Sequence, residues 1–241
     1  MNIMKSPIQG RAKKINRNTQ MTDQANPLKT KEAILAQDRV SALRNKISAL
    51  DDEQLNLIFK EARTFNGWQN KPVEDDILET LFNLASMGAT SMNCCPARFI
   101  FVKSDLQKEK LAACAMPTNQ SKIRSAPVTV IIAQDMKFFD EMDYLFPLRD
   151  VKPMFEENEE LSSETAFRNS SLQGAYFMLA ARALGLDCGP LSGFDKQAVD
   201  DQFFQNTSIE ANFLCSIGYG DVSSIFPRLP RFNFSDICEI V

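Results

Sequence analysis

Apolar residues recur with a helical period in several stretches. Leu55, Ile58, Phe59 and Ala62 fall on one face behind Asp51 and Gln54, a pairing that reads as a capping box opening a helix that stops near Thr64. Ile77, Leu78, Leu81 and Phe82 predict a second helix over 74–85, which runs into the polar loop Gly88–Pro96. The apolar, β-branched run 98–102 then predicts a strand. Ser104 with Gln107 reads as another capping box for a short helix through Ala113, and Pro117 opens an expected loop, MPTNQSKIRSAP. Residues 128–133 form a strongly apolar strand, and 136–160 mix Phe and Met with acids as a helical excursion or lid. The longest helix is expected over 163–184, ending at Gly185 as a C′ glycine. Its small residues Ser170, Ser171, Gly174, Ala175 and Ala181 suggest close approach by another helix. A strand edge at 186–195, a helix over 195–204 and a last strand at 212–219 complete the pattern. Helices and strands are mixed without regular βαβ alternation, so the expected fold is α+β with a mainly antiparallel sheet flanked by helices.

Upstream, Ile34, Leu35, Val40, Leu43 and Ile47 are compatible with an amphipathic helix over 31–50. The first twenty residues are basic, with no acid and no hydrophobic signal region, and are expected to be disordered. Met21 offers a second possible start. The chain is therefore divided into an N-terminal extension, 1–45, and one domain, 46–241.

Composition narrows the function. The formal charge of −4 argues against nucleic acid as a partner, and no apolar run approaches the ~20 residues of a membrane span. The six cysteines show neither CxxC spacing nor the density of a secreted scaffold, and read as reduced thiols in a cytoplasm. Cys94 and Cys95 are adjacent and open to redox chemistry, though small buried thiols are the expected state. The chain has no histidine. Ser-His-Asp and Cys-His catalysis and most zinc sites are thereby excluded, which leaves carboxylate, lysine, tyrosine or cofactor chemistry.

Polar interruptions sit just outside the predicted elements: Arg63, the Thr90–Asn93 group, Asn119 with Lys122, and Arg228 with Arg231. Pro190 to Gly193 adds bare backbone. One ligand would use them all if it joined a phosphate, a polyol and a planar heterocycle, which describes flavin mononucleotide (FMN). Each residue taken singly reads more readily as the solvated end of an element.

Longer motifs go further: ARTFNGW at 62–68, TSMNCCPARF at 90–99, N-x-x-K at 119–122, SAPVT at 125–129, ETAFRNSS at 164–171, ALGLDCGPLSGFD at 183–195, and IGYGD with RLPR within 217–231. On these, residues 50–241 resemble the FMN-dependent nitroreductase family, with the closest likeness to its malonic semialdehyde reductase branch of uracil degradation. The resemblance implies an intertwined homodimer with two FMN molecules at the subunit interface. It places Arg63 and Arg228 on the FMN phosphate, with Ser91 and Asn93 reaching the cofactor from the partner subunit. Asn119 falls at the pyrimidine edge, Lys122 near N1 and the C2 carbonyl, and the backbone of Ser192 and Gly193, after Pro190, near N5 and O4. Two departures stand out: Phe65, Asn66 and Gly67 replace a second basic residue that many members carry, and Ser192 stands where many have glutamate. The implied reaction passes hydride from NADPH or NADH through flavin N5 to malonic semialdehyde, giving 3-hydroxypropanoate in pyrimidine degradation. The alternative is a broad nitroaromatic or quinone reductase. No catalytic side chain is singled out; Arg98 and Arg168 are candidates for a substrate carboxylate and equally for structural ion pairs.

Overall fold

The computed structural model describes residues 30–241, so the expected disordered start lies outside the described residues. The described residues divide into two units, 30–50 and 51–241. In the first, helix α1 (Lys31–Arg44) is capped by Thr30, whose hydroxyl accepts the Ala33 N–H, and it ends well before residue 50. None of its residues is buried.

The second unit opens as expected. Asp51 and Gln54 form a reciprocal capping box at α2 (Asp52–Leu55), which continues as a π-helical turn, Asn56–Lys60. The predicted apolar face does not reach a core, and Phe59 is exposed. Then follow α3 (Asp75–Ala85), β1 (Ala97–Val102), α4 (Asp105–Ala113), α5 (Pro117–Ser125) and β2 (Val128–Asp135). Next come α6 (Met142–Leu145), α7 (Lys152–Glu156), α8 (Glu159–Ala183), β3 (Asp187–Leu191), α9 (Lys196–Phe203), β4 (Ile209–Gly218) and α10 (Phe234–Ile237).

The strands form one antiparallel sheet in the order β1-β2-β4-β3, as the α+β reading anticipates. β2 is paired on both sides and covered on both faces, so it is apolar without alternation. Val128, Val130 and Ile132 face one core with Leu78 and Leu81 of α3 and Phe177 and Ala181 of α8. Ile131 and Ala133 face a second, with Leu111, Ile123 and Val199 from α4, α5 and α9. β3 forms an edge, which is why Pro190 is tolerated in it.

Several expectations are corrected. Pro117 does not open a loop; it occupies the first turn of α5, where its missing N–H costs nothing and its fixed φ suits the helix. Ser104 precedes α4 without a side-chain cap bond. Phe82 is exposed on α3. The small residues of α8 admit the sheet as well as a helix: a Cβ on Gly174 would lie 2.5 Å from the Phe213 ring and Ser170 accepts from Asn212, while Ala181 shares a core with Leu78 and Leu81 of α3. Gly185 ends the helix at φ +76°, the left-handed C′ position expected of it. Among the described residues, no helix is long and apolar enough to cross a membrane.

At the start of β3, burial pushes the Asp187 carboxyl above its usual value, against the Gly220 N–H at 2.9 Å and the nearby Arg182 charge, which pull it down. The folded state thus disfavours the ionised carboxylate. Asp187→Asn keeps an acceptor for Gly220 and removes that charge. In denaturant titrations it should be at least as stable as the parent at pH 7, and this advantage should vanish below about pH 3.8, where Asp187 is protonated folded and unfolded alike.

Candidate functional site

Two arginines far apart in sequence meet at the end of the π-helical turn. Arg63 Nη1 donates to the carbonyls of Lys60 (3.3 Å) and Ala62 (3.1 Å), and its Nη2 pairs with Glu61 at 3.1 Å. Arg228 Nη2 donates to Ala62 O at 2.9 Å, to Phe59 O at 3.4 Å and to Lys60 O. Both guanidiniums therefore share the Lys60 and Ala62 carbonyls, acceptors left open where a helix ends. Glu61 and the backbone dipoles only partly offset the two charges held together, and an oxyanion with several acceptor atoms would complete the neutralisation.

From Arg63 the chain runs onto the edge strand. Thr64 bridges Cys188 in parallel, and Phe65 N donates to Cys188 O at 3.0 Å. A Cβ at Gly189 would lie 2.5 Å from Phe65 O, so this approach requires glycine there. Extended backbone from Cys188 to Gly193 spans about 16 Å at the ~3.3 Å rise of a strand.

At its far end the Gly193 carbonyl is held twice, by Met116 N at 2.9 Å and Asn119 Nδ2 at 3.1 Å. A Cβ on Gly193 would fall 2.6 Å from that Nδ2. The Ser192 and Gly193 N–H groups donate to no acceptor among the described residues. Because 117–125 is helical, Asn119 and Lys122 stand three residues apart on one face. Lys122 is half-buried, and its ammonium makes no hydrogen bond or ion pair among the described residues. The edge strand thus carries paired cations at one end, and free N–H groups, an amide and an unpaired ammonium at the other. Beside it the buried Trp68 indole N–H also lacks an acceptor among the described residues. This donor set fits a long ligand with an anionic end and a heterocyclic end with acceptor atoms.

Ser91 and Asn93 stand elsewhere. They form a 3₁₀ turn leading into β1, the opposite edge of the sheet, three strand spacings or about 14 Å from β3. Ser91 N donates to Asn169 Oδ1 at 2.8 Å, and Asn93 Nδ2 to Leu145 O at 2.8 Å. Within one protomer they do not join Arg63, Asn119 and Gly193. Two supporting residues escape sequence reasoning: Asn169 and Gln173, buried amides on α8 that hold Ser91 N and Ala97 N. Their spacing of one helical turn on the sheet-facing side is the signal that could have found them.

Arg98 and Arg168 are both engaged. Arg98 Nη2 meets Asp135 Oδ2 at 2.7 Å while its Nη1 donates to the carbonyls of Cys95 (3.2 Å) and Ala97 (3.0 Å). It braces the start of β1. Arg168 pairs with Glu164 one turn away on the exposed side of α8.

The nitroreductase family profile matches residues 60–220. A Burkholderia lata protein provisionally named NADH dehydrogenase/NAD(P)H nitroreductase is 51% identical over 194 residues, covering 80% of this chain and all of that one. The chain belongs to the nitroreductase family. A similarly named Polynucleobacter asymbioticus protein is 48% identical over 194 residues, 80% of this chain and 99% of its own. Among solved family structures, a Bacillus subtilis nitroreductase superposes with TM-score 0.71 at 22% identity, covering 79% of this chain and 100% of its own. An Exiguobacterium sibiricum nitroreductase, solved in complex with FMN, superposes with TM-score 0.70 at 22% identity, covering 80% and 98%. At that identity they establish the shared fold.

Proposed function

We propose that this nitroreductase-family chain is an FMN-dependent oxidoreductase that takes reducing equivalents from NADPH or NADH and passes them to a small organic acceptor. The observation that carries this reading is the meeting of Arg63 and Arg228 at one end of β3, with the free Ser192 and Gly193 N–H groups at the other. The names of the curated relatives and the FMN complex of a family structure support the choice of cofactors.

When bound, FMN supplies the hydride chemistry that this histidine-free chain lacks. Arg63 and Arg228 hold its phosphate. Asn119 stands at the pyrimidine edge, and the Ser192 and Gly193 N–H groups donate to the ring. Lys122 would set a positive charge beside the ring, where it would favour the reduced, anionic form of the cofactor. Met116 and Asn119 clamp the Gly193 carbonyl, so the neighbouring N–H groups are fixed in advance.

Ser91 and Asn93, on the opposite sheet edge, reach a cofactor in this reading only from a second copy. The proposal therefore includes a homodimer. Phe167, Leu172 and Tyr176 are exposed on α8, and the tail presents Phe226, Leu229, Phe232 and Ile237 to solvent. These are surfaces that a partner subunit covers. Sedimentation equilibrium should give twice the chain mass; a monomer that retains FMN would remove Ser91 and Asn93 from the site.

The acceptor that the motif likeness favours is malonic semialdehyde, reduced to 3-hydroxypropanoate. A broad nitroaromatic or quinone reductase is the second reading. It is favoured by the relatives' names and by Arg98 and Arg168, whose guanidiniums already face carboxylates and so leave the aldehyde acid without the cation expected to hold it. Comparing kcat/KM for malonic semialdehyde, a nitroaromatic and a quinone decides between them. Preference for the aldehyde supports the first reading and preference for the others the second.

A further inference from the structure

The adjacent thiols of Cys94 and Cys95 directly follow Asn93 but hold no part of the cofactor in the reading above. Cys94 is fully buried, packed with Phe138, Met142 and Phe155 in a small core beneath the 136–156 excursion. Cys95 is half-exposed. Thr90 Oγ1 lies 3.7 Å from Cys95 Sγ. The Cys95 N–H donates to the same oxygen at 3.2 Å, and Cys95 Sγ lies 3.5 Å from Asn93 Oδ1. The backbone holds this arrangement at a cost, with Met92, Asn93 and Cys95 all left-handed at φ 50°, 55° and 38°. A second pair, Cys188 and Cys215 on the neighbouring strands β3 and β4, is fully buried and closed to solvent reagents.

We propose that Cys94 and Cys95 form a peroxide-sensitive modification site that closes reversibly to a disulfide between neighbouring residues. The accessible Cys95 sulfur attacks the peroxide; the O–O bond breaks, one oxygen leaves as water or alcohol, and Cys95 becomes a sulfenic acid. The Cys94 sulfur then attacks the Cys95 sulfur, the S–O bond breaks, and the departing hydroxide takes the Cys94 proton as a second water. Two thiols lose two electrons and the peroxide gains them. Burial and the neighbouring Cys95 push the Cys94 thiol up to about 11, so Cys94 is suited to resolving and not to meeting the oxidant. Sequence neighbours joined by a trans peptide have Cα atoms about 3.8 Å apart, below the ~4.4–6.8 Å that disulfides usually span, so the bond is strained and readily reduced. These are properties of a reversible sensor and not of a structural cross-link. No step of this chemistry uses the flavin proposed above.

The test is peptide mass spectrometry of the full chain carrying Cys238→Ser, which removes the exposed tail thiol, after brief hydrogen peroxide treatment and blocking of free thiols. Trypsin releases residues 64–98, a peptide with Cys94 and Cys95 and no other cysteine. It should be recovered unblocked and lighter by two hydrogens, and dithiothreitol should restore both thiols. Adding Cys94→Ser should leave a Cys95 sulfenic acid that dimedone traps, several-fold more than in the Cys94-containing protein. Equal dimedone labelling in both overturns the proposal. So does a Cys95 that stays a free thiol or proceeds directly to sulfinic acid with Cys94 present, or a disulfide that appears instead between Cys188 and Cys215.

Discussion

Arg228→Ala should weaken FMN binding roughly 10- to 150-fold, the equivalent of the about 1.5–3 kcal/mol carried by a hydrogen bond to a charged group. Arg228 reaches the site from the end of the second unit and shares its acceptor carbonyls, Lys60 and Ala62, with Arg63. Arg63→Ala should cost a similar factor. The two effects should not simply multiply, because deleting one guanidinium also relieves repulsion on the other, and a double-mutant cycle should show the coupling. Arg228→Lys should fall between parent and alanine, since lysine keeps the charge but not the planar fork. Titration of apoprotein with FMN, read by flavin fluorescence, measures all four. Unchanged affinity in Arg228→Ala would remove that residue from the site.

Phe177→Ala should lower the free energy of unfolding by about 3–5 kcal/mol, the range for a fully buried phenylalanine, and this is a large share of the about 5–15 kcal/mol that holds a typical domain. Phe177 is completely buried on the sheet-facing side of α8. Its ring stacks on Phe99 with centroids 5.4 Å apart and lies 6.1 Å from Phe101, so it joins the helix to β1 as well as filling the core. Little around it can collapse into the space, because Gly174, one turn earlier, already brings the helix backbone close to the Phe213 ring. Chemical denaturation at fixed protein concentration tests this; a loss below about 1 kcal/mol would mean that the core relaxes far more freely than its packing indicates.

What was legible in the sequence was local. The Asp51–Gln54 capping box and the Gly185 terminus are signals contained within a few residues, and both stand in the structure as read. The antiparallel α+β sheet followed from the absence of βαβ alternation. Pro117 was misread because proline, threonine, asparagine and serine together look like a loop, while proline in the first turn is also a helix start; that ambiguity concealed the shared face of Asn119 and Lys122. The small residues of α8 announced the approach of a helix, which α3 makes, but not that of the sheet, since a sheet and a helix ask for the same side chains.

The site was the least legible part. Arg63 and Arg228 meet across the whole second unit, and a lone arginine at the end of an element carries no mark of its partner. Only the ordered motifs, through their likeness to a family, put the two together. Asn169 and Gln173 went unnoticed for the same reason: their bonds are to Ser91 and to the start of β1, more than seventy residues upstream.

The most direct test of the account is an anaerobic titration of the FMN-loaded protein with NADPH, and separately with NADH, followed by absorbance in the flavin band. The account predicts stoichiometric bleaching by at least one of the two, and return of the yellow colour when an acceptor is added. A protein that binds no FMN, or whose bound FMN neither nicotinamide bleaches, would contradict it.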